Sequence, residues 1–139
     1  MKQNEVDVLL IQLQEEWNVK DIVSFNELNI QDKLTDQPYQ LMRFQEKLIK
    51  EKARMEELLD MKAQWAARQY DKFRFNYDKS LTKQEIEQYY LPNDKYMIKL
   101  NNTISKQNII VEYFEMSVKA IDKLQWSIKL YMEDRRYSG

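Results

Sequence analysis

The amino-acid sequence predicts an all-α protein, and two observations support this prediction. The first is that 139 residues include only two prolines, Pro38 and Pro92, and a single glycine at the last position. A chain with so few helix breakers is typically built from helices. The second is an apolar repeat of alternating three- and four-residue steps over residues 93–137. We therefore expect a helical N-terminal region, residues 1–92, and a long C-terminal helix, residues 93–139, that forms an oligomeric coiled-coil-like bundle.

The N-terminal part of the chain begins with a short amphipathic pattern. Val6, Leu10, Leu13 and Trp17 follow helical spacing, which predicts a helix over about residues 3–18. Residues 18–36 are less regular. The Ser-x-x-Glu sequence at residues 24–27 either caps a short helix, with the two side chains satisfying each other's backbone N–H groups, or lies in a loop.

A long helix is predicted over about residues 37–77. The sequence Thr-Asp-Gln-Pro at residues 35–38 is typical of a helix start, with a cap residue followed by proline in the first turn. Nothing breaks the helical pattern from there to Tyr77. Further on, Thr82 and Glu85 form a second capping box. A short helix should follow through Tyr90, because Pro92 disfavours helical geometry in the residue before it.

The C-terminal helix should begin after Pro92, with Asn93 or Asp94 as its cap. Its apolar repeat predicts an oligomer interface, which we call the seam. The seam consists of Met97, Leu100, Ile104, Val111, Phe114, Val118, Ile121, Leu124, Ile128 and Met132. The apolar face is wider than a two-stranded coiled coil needs, which fits a larger assembly or additional packing against the chain's own helices. The alternative is a helix buried inside one monomeric bundle.

The composition excludes several classes of function. The chain has no cysteine and no histidine, which removes disulfides, thiolate metal sites and every catalytic site that needs a histidine base. No glycine-rich phosphate loop is present. We predict no catalytic residue, no metal and no cofactor. No signal-like N-terminus and no apolar run long enough for a bilayer are present, so we expect an intracellular protein.

One segment, residues 62–79, differs from the rest of the chain and is called the basic-aromatic segment. It holds five cations against two carboxylates, in a chain whose 22 basic and 23 acidic residues nearly balance, and it holds five aromatic residues. Cations neutralise phosphates and flat rings stack on unpaired bases, a mixture typical of sequence-tolerant single-strand binding. The predicted phosphate contacts are Lys62, Arg68, Lys72 and Arg74, and the predicted stacking residues are Trp65, Tyr70, Phe73 and Phe75. The alternative is that the rings are core residues and the cations are solvated.

Two stretches of the sequence resemble the UvsY recombination mediator family of T-even-like bacteriophages. These are residues 83–100 (KQEIEQYYLPNDKYMIKL) and the end of the chain, residues 118–129 (VKAIDKLQWSIK) and 132–139 (MEDRRYSG). The resemblance implies a non-enzymatic protein that binds single-stranded DNA and forms a ring-like homo-oligomer, a heptamer, through its C-terminal helix. It also implies two protein partners, the phage recombinase and the phage single-strand binding protein, and action in the host cell cytoplasm.

The family's DNA-contact motif has two cations flanking one small residue, shortly before an aromatic run. Lys62 and Ala63 match its first half, but Gln64 stands where the second cation is expected, and Arg68 could replace that cation one helical turn later. The resemblance thus implies a mediator that helps the recombinase assemble on single strands coated by the binding protein. The alternative function is a helical homo-oligomeric scaffold or adaptor that binds only protein partners.

Overall fold

A computed structural model describes residues 1–75 and 81–138, and throughout these residues the regular structure is helical. The elements are α1 (Gln3–Glu16), α2 (Val19–Val23), α3 (Ile30–Phe75), α4 (Lys83–Glu85), a π-helical turn (Ile86–Tyr90), α5 (Lys95–Asp122) and α6 (Leu124–Ser138). The all-α prediction is therefore confirmed. The predicted end of the long helix at Tyr77, and Lys79 of the basic-aromatic segment, lie outside the described residues.

The chain forms two compact units, and the two longest helices contribute to both. The middle unit comprises Lys52–Asn108 together with Met1, and the terminal unit comprises Lys2–Glu51 and Ile109–Gly139. Within the described residues, no helix is both long enough and apolar enough to cross a membrane.

The core of the terminal unit is aromatic. Phe44 and Phe114 are fully buried, and each ring lies 5.2 Å from the ring of Trp17 in an edge-to-face arrangement. Such aromatic pairs add about 0.5–1.5 kcal/mol each beyond the burial of their surface. The Tyr113 hydroxyl donates a hydrogen bond to the Trp17 carbonyl, just beyond the end of α1. These contacts join α1, α3 and α5 through Trp17. The sequence pattern had predicted Trp17 on the apolar face of the helix over about residues 3–18.

The connection between α2 and α3 is the loop, one of the two alternatives that the sequence left open for residues 24–27. Ser24 lies at the C-terminal end of α2, where its hydroxyl donates to the Lys20 carbonyl. Glu27 pairs with Arg135 of α6. Asn26 and Asn29 supply the local hydrogen bonds instead, each side-chain oxygen accepting from the backbone N–H of the other. Short amide side chains form such turns readily. The segment is therefore a loop and not the start of a capped helix.

The predicted start of the long helix at residues 35–38 is wrong. Helix α3 begins at Ile30, so Pro38 is an interior residue, and Thr35 donates its hydroxyl to the Gln31 carbonyl rather than capping. Gln37 is only 5% exposed, and its amide nitrogen donates to the Ile121 carbonyl at 3.1 Å. Pro38 itself is exposed. Local preference would have placed Pro38 at a helix terminus, whereas in the structure the helix continues on both sides of it.

In the middle unit, both predicted helix caps are confirmed. The Thr82 hydroxyl oxygen accepts from the Glu85 N–H at 3.1 Å, and Asp94 accepts from the Met97 N–H at 2.8 Å. Leu81, Ile86, Met97 and Leu100 are the buried apolar residues of this unit. The C-terminal helix is not continuous as predicted, because a turn at Lys123 separates α5 from α6.

Candidate nucleic-acid interface

The middle unit carries a net positive charge, and the rest of the chain carries a net negative charge. Lys52–Asn108 contain eleven Lys and Arg residues against eight Asp and Glu, a net charge of +3, whereas the rest of the chain has eleven against fifteen, a net charge of −4. A local basic surface can therefore attract a polyanion although the whole chain carries a formal charge of −1. The net charge therefore favours this unit over the rest of the chain as the place for a contact with nucleic acid.

The predicted contact residues lie on the last turns of α3, and the helix divides them among three sides. Lys62, Trp65 and Phe73 lie on the partly buried side. Arg68, Lys72 and Phe75 are spaced by four and three residues and follow one exposed flank. Tyr70 and Arg74, four residues apart, lie on the other flank. The structure thus brings the eight residues together on one helix without placing them on one face.

Two of the four predicted stacking rings pack within the middle unit. The Trp65 ring lies 4.4 Å from the ring of Tyr96 on α5, and its indole N–H donates to Asp94 at 2.7 Å. The Phe73 ring lies 5.1 Å from the ring of Tyr90 in the π-helical turn. These contacts join the end of α3 to the segment that leads into α5. The alternative that the rings of this segment are packing residues therefore applies to Trp65 and Phe73.

Phe75 is the most exposed of the predicted rings, with 74% of its surface accessible. An exposed ring beside Arg68 and Lys72 presents a stacking surface next to two cations, which is the combination that a single strand requires. Tyr70 is half-buried, and Arg74 on the same flank is exposed. The arrangement can hold phosphates and stack bases.

Arg68 also lines a small cavity of about 160 Å³ in the middle unit. The other lining residues are Met61, Gln64 and Trp65 of α3 and Tyr96 of α5. Gln64 and Arg68 are one helical turn apart and contribute to the same opening. This geometry is compatible with Arg68 as the replacement for the second cation of the motif, at whose position this chain has Gln64.

The sequence reasoning missed a second run of cations in the middle unit, on α5. Residues 95–108 contain no Asp or Glu, and Lys95, Lys99 and Lys106 are all exposed along them. These lysines recur at positions that share one side of the helix. Tyr96 was missed as well. An acid-free stretch of 14 residues in a chain that is 32% charged was the available signal.

Among the residues that the structure describes, no group of three or more Asp or Glu residues is positioned to hold a metal ion.

The seam residues predicted for an oligomer interface are mostly buried within the single chain. Met97, Leu100, Val111, Phe114, Ile121, Leu124 and Ile128 are buried, Ile104 and Val118 are half-buried, and Met132 is exposed. A side chain that is already buried offers no apolar surface to a second copy. Contacts between copies would fall to exposed positions, and the assignment of these ten residues to an interface stays a prediction.

Neither a protein-family model nor a curated protein sequence matches the chain. The structure does match crystal structures of the recombination mediator protein UvsY of bacteriophage T4 in three lattice types, with TM-scores of 0.77, 0.75 and 0.74 and 19% sequence identity in each case. The matches cover 94%, 92% and 99% of this chain and 98%, 99% and 98% of the UvsY chain. The resemblance inferred from the sequence is thus confirmed at the level of the fold. Over nearly the whole length of both chains, this protein has the fold of the UvsY recombination mediator of bacteriophage T4.

Proposed function

We propose that this protein is a recombination mediator that binds single-stranded DNA as a ring-like homo-oligomer. In this role it loads the phage recombinase onto single strands coated by the phage single-strand binding protein, without a catalytic step of its own. The observation that carries the proposal is the near-complete correspondence of the fold with a protein described as a recombination mediator. The charge of the middle unit and the exposed rings and cations on it are independent support.

DNA binding is assigned to the end of α3. Arg68, Lys72 and Arg74 are exposed and would hold phosphates, while Phe75 would stack on a base. Lys62, Trp65, Tyr70 and Phe73 complete the predicted set from less exposed positions. Contacts of this kind read the backbone and the flat faces of bases, so many sequences should bind similarly and binding should weaken steeply with salt.

Self-assembly is assigned to residues 93–139. Exposed apolar residues remain there on α5, at Ile98 and Met116, and on α6, and we assign the contact between copies to those of α6. Trp126 and Leu130 are one helical turn apart and exposed, and Met132 of the predicted seam is exposed as well. One patch of α3 binds a strand weakly. A ring that repeats the patch raises the effective concentration of each further contact and so gains affinity without a stronger single contact.

The test is a fluorescence titration of the protein with oligothymidine at several salt concentrations, together with its mass by sedimentation with and without the oligonucleotide. We expect a multimer that binds the strand, with an affinity that falls linearly on logarithmic axes as salt rises. A monomer that ignores the strand at low salt rules the proposal out. A multimer that does not bind the strand favours the scaffold or adaptor that binds only protein.

A further inference from the structure

The small cavity at the end of the middle unit has the walls of a site for one flat polar ring. It measures about 160 Å³ and is lined by Met61, Gln64, Trp65, Arg68 and Tyr96. We propose that this cavity holds one unpaired nucleobase of the bound strand, with Tyr96 as its stacking residue. The inference rests on the proposed function and names a base-binding site within it.

The volume suits a single base. Liquid water takes about 30 Å³ per molecule, so the cavity is equivalent to about five waters. Pockets for drug-sized ligands are larger, at roughly 300–1,000 Å³. A nucleobase is a ligand of this smaller class, and a whole nucleotide would leave its sugar and phosphate at the opening.

The lining offers separate contacts to the face of a base, to its polar edge and to the attached phosphate. Trp65 and Tyr96 present two aromatic rings with centroids 4.4 Å apart and planes inclined by 48°, so a base can stack on the accessible face of Tyr96 beside the indole. The Gln64 amide both donates and accepts hydrogen bonds, so it can meet the polar edge of any base. Arg68 is exposed at the same opening and can bind the attached phosphate in a bidentate manner.

A second cation continues the path on the far side of Tyr96. Lys99 is exposed three residues after Tyr96, and it therefore lies on the same flank of α5. A strand whose base enters the cavity would have one phosphate near Arg68 and a neighbouring phosphate near Lys99. Three carboxylates lie near this path: Asp94, and Asp60 and Asp71, which are one helical turn from Gln64 and Arg68 on α3. One oxygen of Asp94 already accepts from the Met97 N–H and the Trp65 indole. These two donors reduce the repulsion that the Asp94 carboxylate would exert on a phosphate.

The site is held in place before any ligand arrives. The hydrogen bond from Trp65 to Asp94 fixes the indole, and Asp94 is itself fixed as the cap of α5. A rigid ring loses little conformational freedom on binding, so most of the stacking energy remains available for affinity. The position also explains why Trp65 is only half-buried although it packs on Tyr96.

The experiment compares oligothymidine with an abasic strand of the same length, using the wild type, Tyr96→Leu and Tyr96→Phe. The abasic strand retains the phosphates and has no bases, so a variant that loses affinity for oligothymidine and not for the abasic strand has lost a base contact. Removal of one stacked base should lower affinity roughly 5- to 150-fold. We expect Tyr96→Leu to lose this factor for oligothymidine only, and Tyr96→Phe to retain it. The matched control is Tyr39→Leu, which changes an exposed tyrosine of α3 in the terminal unit and should behave as wild type.

A second measurement uses the unaltered protein, so it does not depend on how the variants fold. Oligothymidine carrying 5-iodouracil is cross-linked by light, and the attached peptide is identified by mass spectrometry. Cross-links at Tyr96 or Trp65 support the base site. A Tyr96→Leu variant that binds oligothymidine as tightly as the wild type, together with cross-links elsewhere in the wild type, overturns this inference and leaves the proposed function intact. A wild type that binds neither strand at low salt overturns both.

Discussion

The indole N–H of Trp65 and the backbone N–H of Met97 donate to the same carboxylate oxygen of Asp94, at 2.7 and 2.8 Å. Trp65 lies on α3 and Asp94 precedes α5, 29 positions further along the chain. One side chain thus caps a helix and orients a ring of the candidate interface. Formation of α5 and the geometry of the cavity beside Trp65 are coupled through that single oxygen.

Replacement of Asp94 should test this coupling. Asp94→Ala removes the cap and leaves the half-buried indole N–H without its acceptor, so we expect the free energy of unfolding to fall by about 2 kcal/mol. Asp94→Asn is the matched control, because asparagine caps about as well as aspartate and its amide oxygen can accept both hydrogen bonds. Urea unfolding followed by circular dichroism measures both variants. Equal losses in the two variants would mean that the carboxylate charge, and not the shared acceptor, stabilises the unit.

Gln37 should be a stabilising residue of the terminal unit. Its amide donates to the Ile121 carbonyl at 3.1 Å and accepts from the Gln125 amide at 3.3 Å, close to the turn at Lys123 where helical donors are lost. Gln37→Leu leaves the carbonyl without this donor and should lower the free energy of unfolding by roughly 1–3 kcal/mol. Gln45→Leu changes an exposed glutamine of the same helix and should stay within about 0.5 kcal/mol of wild type. Similar stabilities for the two variants would contradict the assignment.

The exposed side of α6 should control oligomer size without affecting the fold of the monomer. Trp126 is 58% exposed, so Trp126→Asp should yield smaller species in sedimentation while the thermal midpoint of the monomer stays unchanged. Ser127→Asp places the same charge one residue away and serves as the control. Ile121→Asp should instead unfold the terminal unit, because Ile121 is completely buried and an unpaired buried carboxylate is costly. An unchanged mass for Trp126→Asp would show that copies meet through another surface.

The cations of α3 should set the salt dependence of strand binding. Each phosphate contact contributes about 0.7 to the slope of log affinity against log salt for a single strand. Removal of two contacts in Arg68→Ala/Lys72→Ala should therefore reduce the slope by about 1.4 and leave the mass of the oligomer unchanged. Lys50→Ala/Lys119→Ala removes two exposed cations of the terminal unit and should leave the slope as it is. If both double variants reduce the slope alike, the charge effect is general and the end of α3, where Arg68 and Lys72 lie, is not the binding site.

Tyr113 should make the stability of the protein sensitive to high pH. Burial raises the pKa of its hydroxyl above the ordinary value of 10.0, and this effect outweighs hydrogen bonds with Val19 and Ser117 that lower the pKa. The folded state holds the proton more tightly than the unfolded state, so the contribution is complete below pH 10 and is lost as pH rises through the raised pKa. The difference between wild type and Tyr113→Phe in urea unfolding should shift in favour of Tyr113→Phe above pH 10. A constant difference across that range would exclude the linkage.

Local sequence signals predicted the helix caps well where the cap lies next to the residues it serves. Thr82 and Asp94 both bind N–H groups three residues ahead, so a short pattern contains all the information. The same kind of pattern left a cap and a loop open at residues 24–27, where a loop forms, and it failed at residues 35–38. There the outcome depends on distant partners, because Glu27 pairs with Arg135 and Gln37 binds the Ile121 carbonyl. A local sequence pattern cannot identify a partner that lies 84 or more residues away along the chain.

The candidate site shows the same division. The cations and rings of α3 were identified from composition alone, since local excess of charge and aromatic residues is visible in the chain. The cavity was not, because Tyr96 joins Trp65 and Arg68 only through the packing of α5 on α3 within the middle unit. The apolar repeat of the C-terminal helix was also identified from the sequence. The repeat alone does not determine whether the chain's own helices or a second copy packs against it.

By itself, the sequence determined the helical character of this protein, because scarce Gly and Pro and regular apolar spacing act through local backbone preference and burial. It also determined where charge and aromatic surface are concentrated. Only the tertiary structure decided that Trp65 and Phe73 pack against tyrosines while Phe75 stays exposed, and that most of the seam is covered by the chain itself. Burial is a property of pairs of surfaces, and each pair is formed by residues that the chain brings together only when it folds.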